Sequence, residues 1–307
     1  MATEPILAQF EVAVSQRHRL ATTTLSDYWT LTKPEINFLI AITTAAAFFI
    51  ASPATISTLP WMQLLHSLLG TMLVASGAAS LNQLIELRFD AQMKRTARRP
   101  LASGRLEPSR AFWFGFSLSL LGVVYLGFAT NALASLLALF TLLSYLFLYT
   151  PLKRITPLCT LIGAVPGAVP PLIGWAAVRG RLDPEAWVLF AILFLWQFPH
   201  FMAIAWMYRD DYDHAGYLVL PRGEARSRLV ILQTLLPLAA LVLVSVIPAL
   251  AGPTGLLYST GAVLLGLGFF YYGAQFALRR SAATARRLLM TSILYIPLIL
   301  ILMIFSR

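Results

Sequence analysis

Of 307 residues, 58% are hydrophobic and only 12% are charged, with a mean hydropathy of +0.74. No soluble domain of this length can bury so much apolar sequence. The formal charge of +10 does not mark a nucleic-acid binder, because the basic residues sit in the gaps between apolar runs. The single cysteine, Cys159, lies inside such a run, which excludes an internal disulfide and any CxxC metal or redox motif.

Residues 1–30 read as a polar cytoplasmic arm, mobile, with Arg17 and Arg19 balanced by Glu4, Glu11 and Asp27 and no signal-peptide core. Residues 31–307 read as one helical domain. Nine apolar segments follow, at 35–51, 64–87, 111–129, 132–150, 157–178, 186–208, 228–251, 255–277 and 288–306. The expected fold is an all-α polytopic membrane protein, with nine transmembrane helices in one bundle around a central cavity. Lys33-Pro34 opens the first helix, with proline where its missing N–H is harmless. A bare Thr130-Asn131 joins the third and fourth, which makes them antiparallel neighbours.

All 23 lysines and arginines except Arg179, Arg181 and Arg307 fall on one side of this pattern. The positive-inside rule then puts the N-terminus in the cytoplasm and the C-terminus outside. Helix 2 carries Ser76, Gly77, Ala78, Ala79 and Ser80, which permit close packing or leave room for a ligand. Helix 5 reads GAVPGAVPPLIGW and must bend or break, as the wall of a cavity or as a structural kink.

The stretch Asn82–Leu101, NQLIELRFDAQMKRTARRPL, follows helix 2. Steps of four stack Asn82, Glu86 and Asp90 along one slowly drifting helix face, and Lys94, Arg95, Arg98 and Arg99 come next. Oxygen ligands beside guanidinium groups suit a divalent cation and the phosphate oxygens it neutralises. The competing reading is a helix leaving the membrane into positive charges. Glu86 favours the first, since a carboxylate inside an apolar-flanked helix is expensive and a functional candidate.

A second acidic cluster, Asp210, Asp211 and Asp213, ends helix 6, on the same side as the first. Tyr149, Lys153 and Arg154 lie between helices 4 and 5, as plain anchors or as cations that complete a diphosphate clamp. His200, beside Pro199 in LWQFPHFMAIAW, is either hydrogen-bonded to a neighbour or in touch with a substrate.

These stretches resemble a known family. LTKPEINFLI, NQLIELRFDAQMKRTARRPL, YTPLKRITP, PGAVPPLIGW, WQFPHF and YRDDYDHAGYLVLP are similar, in order, to motifs of the intramembrane aromatic prenyltransferases. They cover roughly Leu31 to Pro221, and helices 7 to 9 match only in hydropathy. WQxPHF and DYxxAG resemble the haem branch, the protohaem IX farnesyltransferases. Two positions depart from that pattern: Glu86 stands in place of the usual aspartate and Glu35 in place of arginine.

The resemblance implies farnesyl transfer from farnesyl diphosphate to the vinyl group of haem B, with water, giving haem O and diphosphate. It implies Mg²⁺ held by Asn82, Glu86, Asp90 and Asp211, and diphosphate held by Arg95, Arg99, Lys153 and Arg154. His200 would lie near the haem, as an iron ligand or as an aid to the added water. It further implies a multi-pass protein of the bacterial inner membrane, its active site facing the cytoplasm, with a downstream haem-modifying enzyme as a partner. The alternatives are a quinone precursor as acceptor or, in another class, a secondary transporter. Transporters keep coupling charges near the bilayer midplane, whereas these acids sit at helix ends.

Overall fold

The computed structural model describes residues 25–53, 56–221, 223–251 and 256–306. Most of the polar arm (residues 1–24), Arg222 and Arg307 lie outside them. Among the described residues there is no strand. Nine helices among the described residues are long and apolar enough to cross a bilayer: α1 (Pro34–Ala51), α2 (Trp61–Ile85), α3 (Pro108–Ala129), α4 (Ala132–Leu152), α5 (Cys159–Arg179), α6 (Pro184–Met207), α7 (Glu224–Ala251), α8 (Leu256–Arg279) and α9 (Ala282–Phe305). The protein is an integral, multi-pass membrane protein, and large side chains such as Phe128, Leu243 and Leu264 are exposed on the outside of the bundle.

Local chemistry sets the helix starts. Proline stands in the first turn of α1, α3 and α6, where no N–H is needed. Ser281 and Thr284 form a reciprocal capping box that starts α9. The apolar pattern alone placed that start at 288, because Arg286 and Arg287 looked like loop. Asn131 caps α4 by accepting from Ala134 N at 2.9 Å, and its amide donates to Ala176 O of α5 at 2.7 Å. One residue thus satisfies both a helix start and a helix end. The short Thr130-Asn131 turn makes α3 and α4 neighbours, and Ser135 Oγ donates to Val123 O at 2.7 Å across them.

Packing inside lipid depends on close approach rather than on apolar burial. The small residues of α2 serve that purpose: a Cβ added at Gly77 would collide with Ser119 and the Gly115 carbonyl of α3. The α5 glycines are likewise filled by protein. Gly163 lies under the Tyr149 ring, Gly167 against Gln197, and Gly174 against the Thr44 carbonyl of α1. α5 is the most buried of the nine spans and divides at Val169, between Pro166 and Pro170.

Two irregularities flank the end of α2, where Asn82 touches both. Residues 144–149 of α4 form a π-helical turn, a feature often found at functional sites. Ahead of α1, residues 25–31 are already helical, and Lys33 adopts the left-handed conformation at φ 50°, which costs an L-residue about 1–2 kcal/mol.

Candidate active site

α2 stops at Ile85, and a short turn, Leu87–Asp90, carries the chain out of it. Asn82, Glu86 and Asp90 are all buried. Buried carboxylates are tolerated only when paired, and each of these meets a base. Glu86 Oε1 accepts from Lys153 Nζ at 2.8 Å, and Asp90 Oδ2 from Arg99 at 2.6 Å. Asn82 Oδ1 accepts from Lys33 Nζ at 3.1 Å and from Tyr145 OH at 3.4 Å, while its amide donates to Thr150 Oγ at 3.1 Å. The π-turn of α4 delivers Tyr145 and Thr150 to the same amide. Lys153 Nζ also lies 4.5 Å from the centre of the Tyr149 ring.

The charges in this network shift one another. Burial pushes Glu86 up, but Lys153, then Lys33 and Arg99, outweigh it and hold the carboxyl below its usual range. Burial pulls Lys153 down, and Glu86 with the two tyrosines lifts it well above the ordinary lysine value. Lys33 goes the other way. Burial, with Arg99 beside it, takes it down to about 7 against the pull of Glu86.

The second acidic motif rides on the short helix Arg209–His214 after α6. Asp211 Oδ2 accepts the backbone N–H of Arg95 at 3.2 Å, which joins the two motifs. The exposed Arg95 side chain donates to Tyr212 OH at 3.2 Å and lies 5.0 Å from the centre of the Tyr208 ring. Leu218 N donates to Lys153 O at 2.8 Å, so the Lys153-Arg154 loop is tied in as well. Met93, Ala215 and Tyr217, with Phe89, Tyr212 and Val219, form a small apolar cluster beneath. Asp213 instead turns to Arg226 at the start of α7, which reaches both of its oxygens at 2.9 and 2.7 Å. Asp210 is exposed.

Asn82, Glu86, Asp90, Arg99 and Lys153 therefore share one network, with Asp211 and Arg95 at its margin. Arg154 is exposed and lies 4.2 Å from the centre of the Phe89 ring. His200 is elsewhere, eleven residues before Asp211 and about 16 Å further along the helical path. It is stacked on Trp196 and bonded to Ser292 of α9.

Sequence reading did not assign Lys33, Tyr145, Thr150 or Tyr217 to the site. Lys33 was legible only as the residue before a helix-opening proline, and Tyr145 is hidden in SYLFLY, as apolar as its surroundings. Among the described residues, buried Asp90 Oδ1 has no hydrogen-bond partner. Burial, then the Glu86 carboxylate, pushes the Tyr217 phenol well above its ordinary value. Among the described residues no three acidic, histidine or cysteine side chains converge into a ready-made metal cage.

The sequence profile of the UbiA prenyltransferase family matches residues 40–295. The protoheme IX farnesyltransferase of Solibacter usitatus is 50% identical over 289 residues, covering 92% of this chain and 99% of the relative. That of Koribacter versatilis is 42% identical, covering 92% and 94%. Among solved structures, a digeranylgeranylglyceryl phosphate synthase superposes with a TM-score of 0.74 at 19% identity, covering 92% of this chain and 98% of that one. A UbiA homolog from Archaeoglobus fulgidus bound to GPP and Mg²⁺ gives 0.66 at 15% identity, covering 90% and 99%. These two are likenesses of fold.

Proposed function

The chain belongs to the UbiA prenyltransferase family, and from that premise we propose how it farnesylates protohaem IX to give haem O. One observation carries the reading. Two buried carboxylates at the end of one helix each face a base, Glu86 with Lys153 from the α4–α5 connection and Asp90 with Arg99 from its own α2–α3 connection. Such a set of opposed charges can be reshared around a diphosphate and its counter-ion.

The donor set fits Mg²⁺, which takes one or two protein carboxylates and fills its other positions with water and substrate phosphate oxygens. The buried, unpartnered Asp90 Oδ1 supports that fit. Asn82, Glu86, Asp90 and Asp211 would hold the ion, and when bound it supplies positive charge to the departing diphosphate. Arg99 and Lys153 trade carboxylates for phosphate oxygens, joined by Lys33 and Arg95, with Arg154 as an outer cation. These fixed cations stabilise the charge that develops as the C1–O bond of farnesyl diphosphate breaks and its electron pair leaves with diphosphate. The vinyl π electrons of haem B form the new carbon–carbon bond to C1. The cation left beside the pyrrole takes up water and releases a proton. A cavity in the bundle keeps water away until that last step, and His200 lies where the haem is received.

The site faces the cytoplasm of a bacterial inner membrane, with the N-terminus inside and the C-terminus outside. Residues 31–307 are the prenyltransferase domain and residues 1–30 an arm ahead of it. Haem O then passes to a downstream haem-modifying enzyme.

An acceptor competition tests this reading. Purified protein with Mg²⁺ and farnesyl diphosphate should convert haem B in preference to 4-hydroxybenzoate. Faster prenylation of 4-hydroxybenzoate would contradict it.

A further inference from the structure

His200 is held from two sides. Its ring stacks on Trp196, 4.7 Å between centroids with 25° between planes, and its Nδ1 lies 2.8 Å from the Ser292 hydroxyl of α9. The Trp196 indole donates to the Ser292 carbonyl at 2.7 Å, closing a triangle between α6 and α9. Ser292 is fully buried, and its Oγ lies 2.6 Å from the carbonyl oxygen of Leu289 one turn earlier.

A carbonyl only accepts, so at 2.6 Å the Leu289 carbonyl is a ready partner for the one proton of the Ser292 hydroxyl. With that proton on the carbonyl, the hydroxyl accepts from His200, and the proton between them sits on Nδ1. In the neutral ring the other nitrogen, Nε2, then carries a free lone pair. Among the described residues Nε2 has no hydrogen-bond partner. Metal-ligating histidines are oriented in this way, one nitrogen fixed by a neighbour and the other presented to the metal.

We infer that Ser292 is a positioning residue that holds His200 as the Nδ1–H tautomer, so that Nε2 is the edge that ligates the iron of the substrate haem. This rests on the reading that haem B is received beside His200. Ligation uses an electron pair that is already free and moves no proton. It also gives α9, which no sequence motif reaches, a part in the reaction.

The test titrates the full-length protein in lipid nanodiscs with ferric haem B, following the Soret band and the iron spin state by electron paramagnetic resonance. The wild type should give a nitrogen-ligated spectrum. His200→Ala should lose it and regain it with added imidazole. Ser292→Ala should weaken haem binding about tenfold or more, as loss of an orienting partner does at metal sites, and Ser292→Thr, which keeps the hydroxyl, should restore it. Wild-type haem binding by Ser292→Ala alongside a defective His200→Ala overturns the tautomer role alone. Wild-type affinity and spectrum in His200→Ala overturn the haem reading beneath it. Mg²⁺-dependent binding of farnesyl diphosphate reports that each variant is folded. Should Ser292→Ala lose that binding too, Ser292→Cys, close in shape but a weak acceptor, carries the same comparison.

Discussion

Lys33 shows how the site sets function against stability. It is a non-glycine residue in the left-handed region, partly buried beside Arg99 and Lys153 and bonded to Asn82. Burial and those cations depress its pKa to about 7, so its charged form is a burden on the ligand-free fold. A bound diphosphate would reverse that balance. A hydrogen bond to a charged group is worth about 1.5–3 kcal/mol, so Lys33→Met should raise the KM for farnesyl diphosphate about ten- to hundredfold. The melting temperature should stay unchanged or rise. An unchanged KM in a folded variant removes Lys33 from the diphosphate site. The acids of the first motif were legible because carboxylates four residues apart at the end of an apolar helix have no ordinary reason to be there. Lys33 was not, because a lysine before a membrane helix already has one.

At the scale of elements, the loop after α6 is tied down at three points: Asp211 to Arg95, Leu218 to Lys153, and Asp213 to Arg226. Only the last reaches a later spanning helix, α7, and Arg226 Nε also donates to Pro221 O at 2.8 Å within the same loop. Arg226→Ala should therefore loosen the loop and weaken Mg²⁺-dependent farnesyl diphosphate binding severalfold. The exchange Asp213→Arg with Arg226→Asp should recover part of it, and binding unaffected by either change would show that the pair is ornamental. Helix existence was readable from apolar run length, whereas the details depended on partners in space. The α5 glycines read as a cavity wall or as a kink, and which neighbours pack against them, Tyr149, Gln197 and the Thr44 carbonyl, is set by the fold. Ser281 starts α9 through a cap that hydropathy does not register.

For the whole molecule, both acidic motifs and the Lys153-Arg154 loop gather at one site. That convergence could be expected from helix count and charge side alone. The exchange of partners within the network could not, because it depends on which base each loop delivers. Orientation in the membrane has its own test. Cys159 is buried, so in a Cys159→Ser background new cysteines report sidedness. A membrane-impermeant maleimide added to intact cells should label Arg181→Cys and reach Lys94→Cys only after permeabilisation. The reverse pattern would invert the topology.

The central claim is that the first-motif carboxylates serve a Mg²⁺-diphosphate site for haem farnesylation. The most direct measurement is haem O formation against Mg²⁺ concentration in wild type and in Asp90→Asn, which changes the charge while keeping the shape. The wild type should depend on Mg²⁺ and stop on chelation. Asp90→Asn should lose about 10²-fold or more in rate, the scale of removing one charge-stabilising group, with its melting temperature showing a folded protein. Haem O made at the wild-type rate by Asp90→Asn, or by wild type in chelator, would contradict the account.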